Sequence, residues 1–262
     1  MRYFDSHSHY YDERFEAECE CGTDALLNTL FEQSVSGIIN IGTNLDSSRM
    51  AIAQAKKYNG MYAMAGFHPS DTAFTDIAPE DAISEIKALL TDKDNKCVGV
   101  GEIGFDYHYP ETDKRRQYEF FDMQMQLARD LRMPVSIHDR DAHGDVLDMI
   151  KRYPDVRGVL HSYSGSVEMA KELLTLGYMI SFSGVLTFKN ARKSVEVAKT
   201  VPKDRVLIET DAPYLAPHPH RGTLNHSGYL EYTNRALSEA LGIGEEACAG
   251  LTEENARRFF GI

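Results

Sequence analysis

Residues 97–137 hold one complete strand–helix–strand unit. It begins with Cys97-Val98-Gly99-Val100-Gly101-Glu102-Ile103, continues through a stripe of Phe120, Met123, Leu127 and Leu131, and ends on Pro134-Val135-Ser136-Ile137. A short β-type run, apolar residues returning at helical spacing and a second short run make one βαβ motif. The same alternation extends in both directions. The other runs read Tyr3–Ser6, Gly37–Ile41, Met61–Gly66, Gly158–Leu160, Tyr178–Ser181 and Val206–Glu209, with stripes such as Leu26, Leu27, Leu30 and Phe31 between them. Strands and helices alternating at these lengths imply parallel units, and eight of them suggest an α/β fold closed as a (β/α)8 (TIM) barrel. An open doubly wound sheet is the alternative on pattern alone. The Pro-rich stretch Ala212–Pro219 reads as a rigid loop after the eighth run, so residues 1–262 are expected to form a single domain.

Composition narrows the function. A chain of 262 residues with 42% hydrophobic content suits one barrel with a full core. No apolar run approaches the ~18 residues of a membrane span. The opening MRYFDSHSHYYDE lacks the apolar stretch of a secretory signal, which makes the cytoplasm the expected location. Cys19, Cys21, Cys97 and Cys248 are irregularly spaced and read as free thiols of a reducing compartment. With 28 basic and 40 acidic residues the net charge is −12, which argues against tight, sequence-specific duplex binding through a basic surface. Action on nucleic acid then requires a local site where bound metal supplies positive charge.

The histidines are placed where such a site belongs. His7, His9, His68, His138 and His161 stand at or just past the ends of strand runs, and His108, His143, His218, His220 and His226 lie in the segments that follow strands four, five and eight. In this fold those segments form one face, which carries the active site. His7 and His9 are an HxH pair with both imidazoles on one face of a strand. Alone, such a pair is also an ordinary pair of polar residues at a strand end. Glu102 among small residues, His138 with Arg140 two residues on, His161 after Val159-Leu160, and Asp211 after Ile208-Glu209-Thr210 change that reading. Four histidines and two carboxylates exceed a closed four-ligand zinc site and suit two divalent ions sharing a bridging group. Imidazoles favour zinc or another transition ion, while carboxylates and phosphate chemistry admit Mg²⁺ or Mn²⁺. There is no GxSxG elbow, GxGxxG or Walker A loop.

Several short motifs add to this: Phe4-Asp5-Ser6-His7-Ser8-His9, Gly66-Phe67-His68-Pro69, Gly101-Glu102-Ile103-Gly104-Phe105-Asp106-Tyr107, Pro134 to Arg140, His161-Ser162-Tyr163-Ser164-Gly165, Ile180 to Gly184 and Glu209 to Leu215. In this order the chain resembles the TatD family of metal-dependent deoxyribonucleases, relatives of the amidohydrolase barrels. The resemblance implies that His7 and His9 bind a first metal, that Glu102 bridges, that His138 and His161 bind a second, and that Asp211 lies beside the first as general base. It also implies that His68 and Arg140 contact the substrate phosphate. The implied activity is DNA hydrolysis, often exonucleolytic from a 3′ end, with single-stranded or nicked DNA as substrate; some related proteins act on aminoacylated tRNA. The family's usual Asn-Glu-Pro after Arg-Gly is here Asn225-His226-Ser227.

Other residues have plainer readings. Lys114-Arg115-Arg116 is a solvated helix face or a weak attractor of a nucleic-acid strand, and Tyr10 and Tyr107 either pack or stack on a base. Two further functions stay open at this stage: hydrolysis of an ester, amide or lactone at the same centre, and a non-catalytic metal-stabilised scaffold.

Overall fold

Eight strands run in chain order around one parallel sheet: β1 (Tyr3–Ser8), β2 (Val35–Ile41), β3 (Met61–Ala65), β4 (Cys97–Asp106), β5 (Val135–Arg140), β6 (Gly158–Leu160), β7 (Met179–Phe182) and β8 (Val206–Ile208). The computed structural model describes residues 1–110 and 112–262. The first and last strands meet at a seam. Asp211 N donates to His7 O at 2.9 Å, His9 N to Ala212 O at 2.7 Å, and the Ser6 hydroxyl to Ile208 O at 2.9 Å. These bonds make the sheet a nearly closed barrel and not an open doubly wound sheet.

Several helices begin where a side chain supplies the cap. Asn44 accepts from Ser47 N at 2.9 Å ahead of the helix Leu45–Lys57, Asp113 accepts from Arg116 N ahead of Lys114–Leu131, and Ser166 accepts from Met169 N ahead of Val167–Thr175. Their apolar faces cover the outer side of the barrel. Phe120, Phe121, Met125 and Leu127 join Val100, Ile103, Phe105 and Ile137 in one buried cluster. Inside the barrel lie Phe4, Ile39, Ile41, Met64, Val159, Met179 and Leu207, closed from below by Ala256, Phe259 and Phe260 of the helix Glu245–Phe260. Asn255 donates to Val206 O at 2.9 Å and Arg257 to Ser36 O at 3.3 Å, which fixes that helix at the strand starts. The floor is therefore apolar, and polar chemistry is confined to the other end.

Two strands depart from regular alternation, and both carry candidate ligands. The β1–β2 register slips between Asp5 and Ser8, and the β4–β5 register slips between Val100 and Ile103. Phe4 points into the barrel, and strict alternation would turn His7 outward; the slip brings it back inside. Beyond its slip, β4 runs on to Asp106, pairing Gly104 with His138 and Asp106 with Arg140. This is longer than the apolar run suggested, because the neighbouring backbone satisfies the ladder whatever the side chains. Gly104 (φ 142°) permits that pairing, since a Cβ there would stand 2.0 Å from His138 O. A Cβ on Gly101 would likewise stand 3.0 Å from that of Ser136. The small residues of β4 thus serve close approach of β5, not open space around Glu102. Among the described residues, no helix is long and apolar enough to cross a membrane.

Candidate metal centre

The strand ends bring His7, His9, Glu102, His138, His161 and Asp211 into one cluster beneath a cleft of ≈ 470 Å³. The Glu102 carboxylate divides it. Its Oε2 lies 3.3 Å from His7 Nε2 and 3.5 Å from His9 Nε2, and those nitrogens are 3.1 Å apart. Asp211 Oδ1 completes this first group at 3.6 Å from His7 Nε2 and 3.4 Å from His9 Nε2. Glu102 Oε1 faces the other way, 2.9 Å from His138 Nδ1 and 2.8 Å from His161 Nε2, which are 3.2 Å apart. His7 and His161 stack with ring centroids 4.0 Å apart, so the groups adjoin.

These spacings fit cations. Donors around an ion with bonds of about 2.0–2.1 Å stand roughly 3.0–3.4 Å from one another. Nitrogen and carboxylate oxygen are the donors that bind divalent transition ions. The outer nitrogens of the imidazoles are held as well. His9 Nδ1 lies 2.7 Å from Ile41 O, and His7 Nδ1 lies 3.1 Å from the Ser136 hydroxyl. His138 Nε2 lies 3.3 Å from Asp106 Oδ2, and His161 Nδ1 lies 3.3 Å from Glu209 Oε1. Such partners fix the tautomer and orientation of metal-binding imidazoles.

Electrostatics follow from packing so many ionisable groups together. Burial works to raise the Glu102 carboxyl, but His161, His68 and His7 hold it well below the usual range. Burial opposes ionisation of Asp211 too, and His9, His161 and His7 outweigh it. Both are carboxylates at neutral pH. Asp211 is the more accessible, with 15% of its side chain exposed against 4% for Glu102.

His68 and Arg140 line the cleft above the cluster. His68 Nδ1 accepts from Ser70 N at 3.1 Å, leaving Nε2 to face Glu102 Oε1 at 3.5 Å. Burial pushes its imidazolium down to about 3, so the ring is a neutral hydrogen-bond donor. Arg140 does not pair with Asp139 or Asp141, which engage His143 and His108; among the described residues its carboxylate neighbour is Asp106, at 4.0 Å. Its guanidinium remains half exposed.

Other residues fall elsewhere. His220 and His226 pack on Tyr229 with centroids at 4.2 and 4.1 Å. Tyr10 is buried against Phe15 with its hydroxyl bonded to Ser227, and Tyr107 donates to Asp145 beneath the Lys114 ammonium. Neither tyrosine is free to stack on a ligand. His226 and Ser227 do not line the cleft. Asn225 donates to Thr210 O and Tyr214 O, and Ser227 to Asp5, so this loop braces the segment after β8. Asp106, Glu209 and Ser136 are partners that the sequence reading left without a role, although all three stand inside quoted motifs.

An (β/α)8 barrel with histidines and carboxylates gathered at its strand ends defines a metal-dependent hydrolase, and comparison with known proteins agrees. Residues 4–261 match the model of the TatD related DNase family. The chain is 36% identical over 261 residues to YabD of Bacillus subtilis (strain 168), described as an uncharacterized metal-dependent hydrolase, covering 99% of each. It is 42% identical over 167 residues to YcfH of Escherichia coli (strain K12), another such hydrolase, covering 63% of each. The crystal structure of YJJV, a TatD homolog from Escherichia coli K12, superposes with a TM-score of 0.90 at 26% identity, covering 100% of this chain and 98% of that one. The chain belongs to the TatD-related DNase family.

Proposed function

We propose that the chain is a phosphodiesterase acting on single-stranded or nicked DNA, not a tight sequence-specific duplex binder, and that it trims from 3′ ends with the aid of two divalent ions held around Glu102.

 The observation that carries this is the divided carboxylate: one oxygen of Glu102 faces His7 and His9, and the other faces His138 and His161. Bound there, divalent ions supply a lower pKa for water and polarisation of a phosphoryl oxygen. The chain's own residues do the rest. Asp211, ionised and open to the cleft, accepts the proton of the attacking water on its carboxylate. The Arg140 guanidinium and the neutral His68 Nε2–H orient the phosphate by donating hydrogen bonds to its oxygens.

The net charge of −12 favours a second reading, in which the same centre cleaves an uncharged ester or amide, such as the ester of an aminoacyl-tRNA. Parallel assays separate the two: purified protein with Mn²⁺ or Mg²⁺ on single-stranded DNA, on a nitrophenyl phosphodiester and on carboxylic esters. Expected are degradation of DNA from 3′ ends, its arrest by a chelator, and a rate loss of about 10²–10⁴-fold in Asp211→Asn with the fold intact by circular dichroism. Carboxylic ester turnover without phosphodiester cleavage contradicts the reading, and full activity in Asp211→Asn contradicts the role of Asp211.

A further inference from the structure

We infer that the hollow between Phe74 and Tyr109, beside the metal cleft, is a subsite for one unpaired nucleobase flanking the scissile phosphodiester. The inference rests on the phosphodiesterase reading above and adds what holds the rest of the substrate. The hollow, ≈ 400 Å³, shares Ser70 and Tyr109 with the cleft as a common wall. Phe74 is 87% exposed and Tyr109 54%, which makes them rings open to a ligand where Tyr10 and Tyr107 are not.

Three of the polar side chains around the hollow, Thr72, Thr112 and Gln117, are already occupied. Thr72 donates to Pro69 O at 2.7 Å, Thr112 to Asp106 O at 3.3 Å, and Gln117 bonds both the N–H and the carbonyl of Asp106 at 3.0 Å. A ligand there meets the exposed Phe74 and Tyr109 rings together with aliphatic surface from Pro69 and Ala73, a lining suited to holding a base by stacking. The Asp113 carboxylate at the margin disfavours a phosphate in the hollow. The phosphate is left to Arg140, whose guanidinium lies 5.7 Å from the Tyr109 ring centroid.

The Phe74 loop is also fixed in advance. Arg116 donates to Thr72 O at 2.6 Å, Thr75 O at 2.8 Å and Ile77 O at 3.1 Å. Its charge is spent on holding that loop, so it is neither a merely solvated residue nor a free attractor of a strand. A base stacks between these rings only when it is free of its partner strand, so the proposed subsite favours unpaired ends.

The test uses two single-stranded oligonucleotides with Mn²⁺, one natural and one abasic on both sides of the cleaved phosphate, on wild type, Phe74→Ala and Phe74→Trp. Phe74 is a surface residue, so the fold tolerates both changes. The expected result is a kcat/KM about 5- to 100-fold higher on the natural strand for wild type. Phe74→Ala loses most of that advantage with its abasic rate unchanged, and Phe74→Trp restores it. An equal loss on both strands, or none, overturns the subsite while leaving the phosphodiesterase reading in place. Faster turnover of an aryl carboxylic ester with the same Phe74 dependence assigns the hollow to an aryl group and overturns the nucleobase. Wild type that cleaves neither strand overturns both readings together.

Discussion

The two halves of the centre share Glu102 but are supported in different ways. His7 and His9 lean on uncharged groups, the Ser136 hydroxyl and the Ile41 carbonyl, and have Asp211 directly beside them. Among the described residues, no second carboxylate stands at the inner nitrogens of His138 and His161; Asp106 and Glu209 stand behind them instead. Each half thus receives anionic charge beyond Glu102, in the first at the cleft and in the second one imidazole further out. A carboxylate behind an imidazole raises its basicity and fixes its tautomer, whereas one at the cleft remains free to take a proton. On the proposed two-ion reading, the difference is a division of labour in which the second half holds its ion and the first half also takes part in the reaction.

The largest effect is expected where the halves join. Glu102→Ala removes the shared ligand, and its loss of metal-dependent turnover should far exceed the roughly 10–100-fold typical of an outer partner. Steady-state assays with metal content measured in parallel check this; near-normal activity would mean that the halves do not depend on each other. Glu209→Gln probes the second half alone. It should weaken the ion held by His138 and His161 by about 10–100-fold in a chelator competition and leave the one by His7 and His9 unaffected. Ser136→Ala probes the first half and removes one neutral contact, typically about 0.5–1.5 kcal/mol, so a change of less than roughly tenfold is expected. If Ser136→Ala costs as much as Glu209→Gln, the contrast between charged and neutral support is lost.

Much of this was legible in the sequence because barrels place function at strand ends. An apolar run that stops at His161 or leads to Asp211 marks both the strand and its exit, so the alternation of elements and the candidate ligands were visible together. The slips in β1 and β4 were not, since a register is a property of two paired strands and neither sequence alone states it. The supports were hidden for a similar reason. Glu209 lies 48 residues from His161 and Asp106 lies 32 from His138, and only closure of the barrel brings them together. Tyr10 and Tyr107 look like rim residues from their positions, but the side on which each packs depends on Phe15, Ser227 and Asp145. Phe74 and Tyr109 carry no periodic signal because they sit in loops, where exposure is set by what the loop leans on.

The most direct measurement is anomalous scattering from a crystal of the wild-type protein loaded with Mn²⁺. Two peaks on opposite sides of the Glu102 carboxylate, one by His7, His9 and Asp211 and the other by His138 and His161, are the expected result. A single peak shared by all these side chains, or ions bound away from Glu102, would contradict the divided centre.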